Sequence, residues 1–119
     1  MGKKTLVIGA SENPERYSNK AIRALRKHQH EVLALAKRGG QVDDVTFLTE
    51  FPDEEVHTVT LYVGPQRQPE YYSKILALKP QRVIFNPGTE NADFARQLEE
   101  NGIQAEEACT LVLLSIGNY

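Results

Sequence analysis

Four short apolar runs govern what this chain can become: KTLVIG at residues 4–9, EVLALA at 31–36, VHTVTLYV at 56–63 and RVIF at 82–85. Each is stopped abruptly, by Gly9, by the KRGG turn at 37–40, by Gly64-Pro65 and by Asn86-Pro87-Gly88 respectively. The first suits a strand buried on both faces, and the third is β-branched and aromatic throughout its core. Helical patterns fall between them. In residues 17–28, Ala21, Ile22 and Leu25 recur at helical spacing while Lys20, Arg23, Arg26 and Lys27 fill the other face. Pro69 can open a second helix, whose Tyr72, Ile75, Leu76 and Leu78 make an apolar stripe before Pro80. Residues 91–101 make a third, with Ala95 and Leu98 inward and Gly102 as its left-handed stop.

Residues 41–55 are the least periodic, with acidic clusters at 43–44 and 53–55, and one short strand is expected at 46–48. Residues 103–108 supply a last short strand, and TLVLLSI at 110–116 is apolar nearly all round. Strands alternating with helices at these intervals require a parallel sheet covered on both faces, because parallel neighbours are joined by right-handed crossovers. The expected fold is a single Rossmann-like three-layer α/β sandwich over residues 1–119, with a mainly parallel sheet of about five strands. Such sheets bind ligands at the carboxyl ends of their strands. That places the loops at 9–18, 36–40 and 63–66 at one edge, with 86–91 close by.

Composition narrows the function. A chain of 119 residues provides one core, too little for a nucleotide domain plus a separate substrate domain. Fourteen basic against 16 acidic residues give a net charge near −2, so no global positive field draws nucleic acid or an anionic membrane, and any anion site is local. One cysteine, Cys109, allows no internal disulfide and no CxxC metal pair, which points to the cytoplasm. The opening MGKKTLVIGA is too poor in apolar residues for a signal peptide, and no run is long enough to cross a membrane.

The loop after the first strand, GASENPERYS, keeps Gly9 of a dinucleotide fingerprint but has Ser11 and Pro14 where the other two glycines belong. It is rich in donors instead. Ser11, Asn13, Arg16 and Ser18 precede a helix whose free N–H groups attract anions, so they either hold a phosphate or cap the helix. After the second strand, where an NAD enzyme carries Asp or Glu for the ribose, stand Lys37 and Arg38. Two cations there favour an adenosine bearing an extra phosphate, as in NADP or coenzyme A.

VIGASENPERYSNKAIRAL, the Lys37 turn, NPGTEN at 86–91 and EACTLV at 107–112 together resemble the small stand-alone CoA-binding proteins, relatives of the CoA-binding Rossmann domain of succinyl-CoA synthetase. The resemblance covers nearly the whole chain. It implies coenzyme A as the bound ligand, its diphosphate among Gly9, Ala10, Ser11, Asn13, Arg16 and Ser18. It implies Lys37 near the adenosine phosphate, Val63, Gly64 and Pro65 beside the adenine, and Asn86, Pro87, Gly88 and Glu90 toward the pantetheine. The synthetase's phosphohistidine region has no counterpart here, so binding carries over and ligase chemistry does not.

No residues form an obvious catalytic set. His28, His30 and His57 do not converge with Cys109 by any spacing, and His28 suits a helix C-terminus. Glu90 either serves as an acid or base or complements a helix dipole; Cys109 is either a core residue or a partner for the thiol of coenzyme A. The apolar 110–116 segment either packs on the sheet or joins two subunits. The expectation is a non-catalytic cytoplasmic binder of coenzyme A or acyl-CoA, a sensor or carrier. A small NADP-binding oxidoreductase or accessory subunit and an interaction module with a vestigial cleft are the alternatives.

Overall fold

The structure is a computed structural model and describes residues 2–119. Its sheet contains β1 (Thr5–Ile8), β2 (Val32–Leu35), β5 (Thr58–Leu61), β6 (Arg82–Phe85) and β7 (Gln104–Glu107), in the order β2-β1-β5-β6-β7. All four pairings are parallel and in step, with Thr5 opposite both Val32 and Thr58, Thr58 opposite Arg82, and Arg82 opposite Gln104. The apolar runs are continuous because β1, β5 and β6 are buried on both faces. Alternate residues serve opposite layers: Leu6, Ile8, Val59, Leu61, Val83 and Phe85 share one core with Ile75, Phe94 and Leu98, whereas Val7 and Ile84 join Ile22, Leu25 and Leu114 on the other. This is the expected Rossmann-like sandwich.

The first layer holds α2 (Tyr72–Leu78) and α3 (Ala92–Glu100); the second holds α1 (Tyr17–Lys27) and α4 (Thr110–Ser115). Asn91 caps α3 by accepting the Phe94 N–H, and Gly102, at φ +77°, turns the chain out of it. Although α4 is apolar from Leu111 to Leu114, the helix buries only Thr110 and Leu114; Val112 is 52% exposed, and Ile116, just past its end, is 60% exposed. At the far edge β7 is half exposed and carries Glu106 and Glu107, charges that discourage another strand from adding to it.

Two stretches depart from the sequence reading. Residues 41–46 form an antiparallel hairpin, β3 (Gln41–Val42) with β4 (Val45–Thr46), turning at Asp43 with φ +52°. Two-residue strands leave no periodicity, and the Asp43-Asp44 pair supplies turn chemistry as well as charge. Asp44 also anchors the hairpin to α1, accepting from Arg26 Nε at 2.9 Å and Nη2 at 2.7 Å. Of the expected strand at 46–48, Thr46 belongs to β4 and Leu48 makes one parallel bridge to Leu35 at the sheet edge. The second helix also starts later than Pro69: two 3₁₀ turns, Pro65–Arg67 and Pro69–Tyr71, precede α2, each with its proline at the first helical position.

Candidate functional site

Strand order reverses between β1 and β5, since the chain leaves β1 toward β2 and returns to the other side. Loops at such a switch point diverge and leave a crevice at the carboxyl ends of the strands. A cleft of about 830 Å³ lies there. It brings together Gly9, Ala10, Ser11, Asn13, Arg16 and Ser18 from the first loop, Lys37 and Arg38 from the second, Val63 and Gly64 from the third, and Pro87 and Gly88 from the fourth.

Gly9 starts the first loop at φ +97°, where an added Cβ would also lie 3.0 Å from the Tyr62 carbonyl oxygen. Both the torsion and the close approach require glycine. Beyond it Ser11 Oγ accepts the Asn13 N–H (3.1 Å), and Asn13 Oδ1 accepts the Glu15 N–H (2.9 Å). Neither side chain therefore caps α1. The capping position belongs to Arg16, in extended conformation and without a side-chain cap bond, and the first turn contains no acidic residue. Open N–H groups and the positive end of the helix dipole thus face the cleft beside a guanidinium, a geometry that attracts phosphate. Glu12 also lines the cleft, but its carboxylate accepts the Gln41 N–H at 2.9 Å and ties the loop to the hairpin.

Lys37 is exposed and its Nζ stands 3.6 Å from Glu70 Oε1, on the second 3₁₀ turn. A pair this open contributes about 0–1 kcal/mol, so the ammonium is readily given up to a stronger anion. A depression of about 860 Å³ adjoins the cleft across Lys37 and Tyr71. Although slightly larger, it is rimmed by Glu50, Asp53, Glu55 and Glu70, which repel phosphate. Its one cation not shared with the cleft is Lys74, whereas the uncapped start of α1, Arg16, Arg38 and Arg67 line the first cleft.

Three residues expected at the ligand are placed differently. Asn86 is 2% exposed and fully engaged: its Nδ2 donates to Thr60 Oγ1 (2.6 Å) and the Leu61 carbonyl (2.9 Å), and its Oδ1 accepts the Thr110 N–H (2.9 Å). It fastens the ends of β5 and β6 to the start of α4. Glu90 Oε1 accepts the Gly88 N–H at 2.9 Å and stiffens that turn from outside the cleft lining. Pro65 opens the first 3₁₀ turn, also outside the lining. In exchange the cleft gains Arg67, Tyr71 and Tyr62, none singled out by the sequence, together with Thr89 of the NPGTEN loop. Burial, and then the nearby Cys109, push the Tyr62 phenol well above its ordinary value.

The histidines lie away from this edge. His30 Nδ1 accepts the Lys3 N–H (2.9 Å) and His57 Nδ1 pairs with Thr58 Oγ1 (2.7 Å), both at the amino ends of the strands. There the Arg82 guanidinium sits 4.4 Å from the Tyr119 ring centre, and its Nε donates to Thr58 Oγ1. His28 takes the C-terminal position of α1 and donates from Nδ1 to the Ala24 carbonyl. Cys109 is half-buried at the start of α4. Among the described residues no group of three or more His, Cys, Asp and Glu could hold a metal ion, and no helix is long and apolar enough to cross a membrane.

Comparison with known proteins bears on this geometry. The sequence profile of a CoA binding domain matches residues 3–115. The crystal structure of an uncharacterized protein is 47% identical, with TM-score 0.96, over 100% of this chain and 99% of that one. A Thermus thermophilus protein is 21% identical over 99% of this chain and 91% of its own, at TM-score 0.86. A conserved hypothetical protein from Pyrococcus furiosus is 24% identical over 92% and 97%, at 0.79. The latter two share the fold. No curated protein matches.

Proposed function

This chain belongs to the CoA binding domain family, and on that premise we propose that it binds coenzyme A or an acyl-CoA in the cleft without transforming it, as a sensor or carrier. The observation that carries this reading is the meeting, in one cleft, of an uncapped helix N-terminus beside Arg16 and a separate cation at Lys37. Coenzyme A has the matching charge pattern, a diphosphate and a detached 3′-phosphate. The diphosphate takes the loop of Ser11, Asn13, Arg16 and Ser18. Lys37 exchanges Glu70 for the 3′-phosphate. The adenine lies against Val63 and Gly64, and the pantetheine runs out over Pro87, Gly88 and Thr89.

Support for a role without catalysis comes from what surrounds the cleft. His30 and His57 stand at the opposite edge, Glu90 is occupied by the Gly88 N–H, and Cys109 is half-buried. A cytoplasmic setting, and a homo-oligomer formed through Val112 of α4 and the adjoining Ile116, belong to the same proposal; sedimentation of Val112→Asp against the unaltered protein tests the second part.

Calorimetric and thermal-shift titration with coenzyme A, acetyl-CoA, NADP and ADP tests the ligand. A ligand at ~100 times its dissociation constant should stabilise the fold by about 2.7 kcal/mol. Coenzyme A and acetyl-CoA are expected to do so with stoichiometry near one and unchanged on recovery; stabilisation by NADP alone, or hydrolysis of the thioester, overturns the proposal.

A further inference from the structure

Gln68 lies between the two 3₁₀ turns, at the end of one and the start of the other, and is 1% exposed. A glutamine so deeply buried needs partners for its amide, and here they come from two loops far apart in sequence. Its Nε2 donates to the Val63 carbonyl at 3.0 Å and to the Thr89 carbonyl at 2.7 Å. Its Oε1 accepts from Asn91 Nδ2 at 2.9 Å, and that same nitrogen donates to the Tyr72 hydroxyl at 2.7 Å. Val63 and Thr89 both line the cleft, on the neighbouring loops that follow the paired strands β5 and β6, and so do Arg67 and Tyr71 on the turns that Gln68 joins. The Thr89 lip is stiff in its own right, since Thr89 returns both its N–H and its hydroxyl to the Asn86 carbonyl. One amide therefore bolts two preformed lips together.

We propose that Gln68 is a positioning residue that fixes the spacing between the adenine lip at Val63 and the pantetheine lip at Thr89. This rests on the coenzyme A reading above. A ligand that spans both lips depends on their spacing, whereas one confined to the first lip does not. Preorganised spacing of this kind lowers the ordering cost of binding without any contact to the ligand. The sequence offers no sign of it: Gln68 sits in a polar stretch between prolines, and the acceptors of its Nε2 are main-chain carbonyls.

Gln68→Met roughly keeps the volume and removes every side-chain hydrogen bond; Gln68→Glu keeps an acceptor for Asn91 and leaves no donor for the two carbonyls as a carboxylate, or one at most when protonated. Calorimetry should show each variant losing about tenfold in affinity for coenzyme A and clearly less for adenosine 3′,5′-bisphosphate, which occupies only the first lip. Equal loss for both ligands, or loss for neither, overturns the proposal. Amide hydrogen exchange in the ligand-free protein is the second arm. Exchange should rise together at residues 63–68 and at Thr89 in either variant, with β6 and α3 unchanged; exchange confined to one lip, or spread evenly over the molecule, overturns it. If the unaltered protein binds neither ligand, the coenzyme A reading fails while the exchange arm still decides the role of Gln68. If Gln68→Met does not fold, Gln68→Glu carries both arms.

Discussion

A single torsion and a single charge govern the cleft at the scale of residues. Gly9 at φ +97° sits where any side chain would meet the Tyr62 carbonyl. Gly9→Ala should therefore cost roughly 1–3 kcal/mol of stability, read as a lowered urea midpoint at constant slope, and should weaken binding through the displaced loop. Lys37→Glu should reduce affinity for coenzyme A about tenfold, or about 1.4 kcal/mol, relative to its loss for dephospho-coenzyme A. Removing the competing carboxylate with Glu70→Gln should move the same ratio the other way, because Lys37 is then unpaired in the free protein. Equal changes for the two ligands in paired titrations would refute the role given to Lys37. Both Gly9 and Lys37 stand out in the sequence, one by ending an apolar run and the other by replacing an expected acid. Asn86, expected toward the ligand, turns its side chain inward: a polar residue in a turn after a strand can point outward to a ligand or inward to orphaned backbone groups, and only the neighbouring chain decides.

Elements differ in how clearly their pattern announces them. The doubly buried strands β1, β5 and β6 were legible because burial on both faces leaves an unbroken apolar run. The β3–β4 hairpin was not, since strands of two residues have no period. The second 3₁₀ turn merged in the sequence with α2 because Pro69 suits the first turn of either kind of helix, while Pro65 read only as the stop of the preceding strand. α3 was bounded well by Asn91 and Gly102. Asn91→Ala should lower stability by about 1 kcal/mol for the lost cap, and by more than an ordinary cap because the same side chain also serves Gln68 and Tyr72. Denaturant melts of Asn91→Ala and Asn91→Asp separate the two parts, since aspartate retains the acceptor for Phe94 but has no N–H for the other two partners.

Across the whole molecule the two edges of the sheet have different chemistry, a ligand cleft at the carboxyl ends and a polar cluster of His30, His57, Arg82 and Tyr119 at the amino ends. Burial, then repulsion from His28, Lys3 and Arg82, holds the His30 imidazole below its ordinary value; burial, then Arg82 and Lys3, does the same for His57. The unfolded chain takes up these protons near pH ~6.5 and the folded chain only at lower pH. The stability they contribute is complete above that value and is lost as pH falls through it toward the folded values. Melting temperature should decline between pH 7 and 5, and His30→Gln should flatten part of the decline; a flat profile in the unaltered protein would count against it. Coenzyme A should remain bound over the upper part of that range, since the phosphate-facing groups lie at the other edge. The open N-terminus of α1 carries one last consequence. If main-chain N–H groups supply much of the attraction in the proposed site, recognition is encoded in the path of the chain. Ser11→Ala and Asn13→Ala should then keep the ligand, whereas Ser18→Pro, deleting one N–H, should prove costlier than its modest size implies.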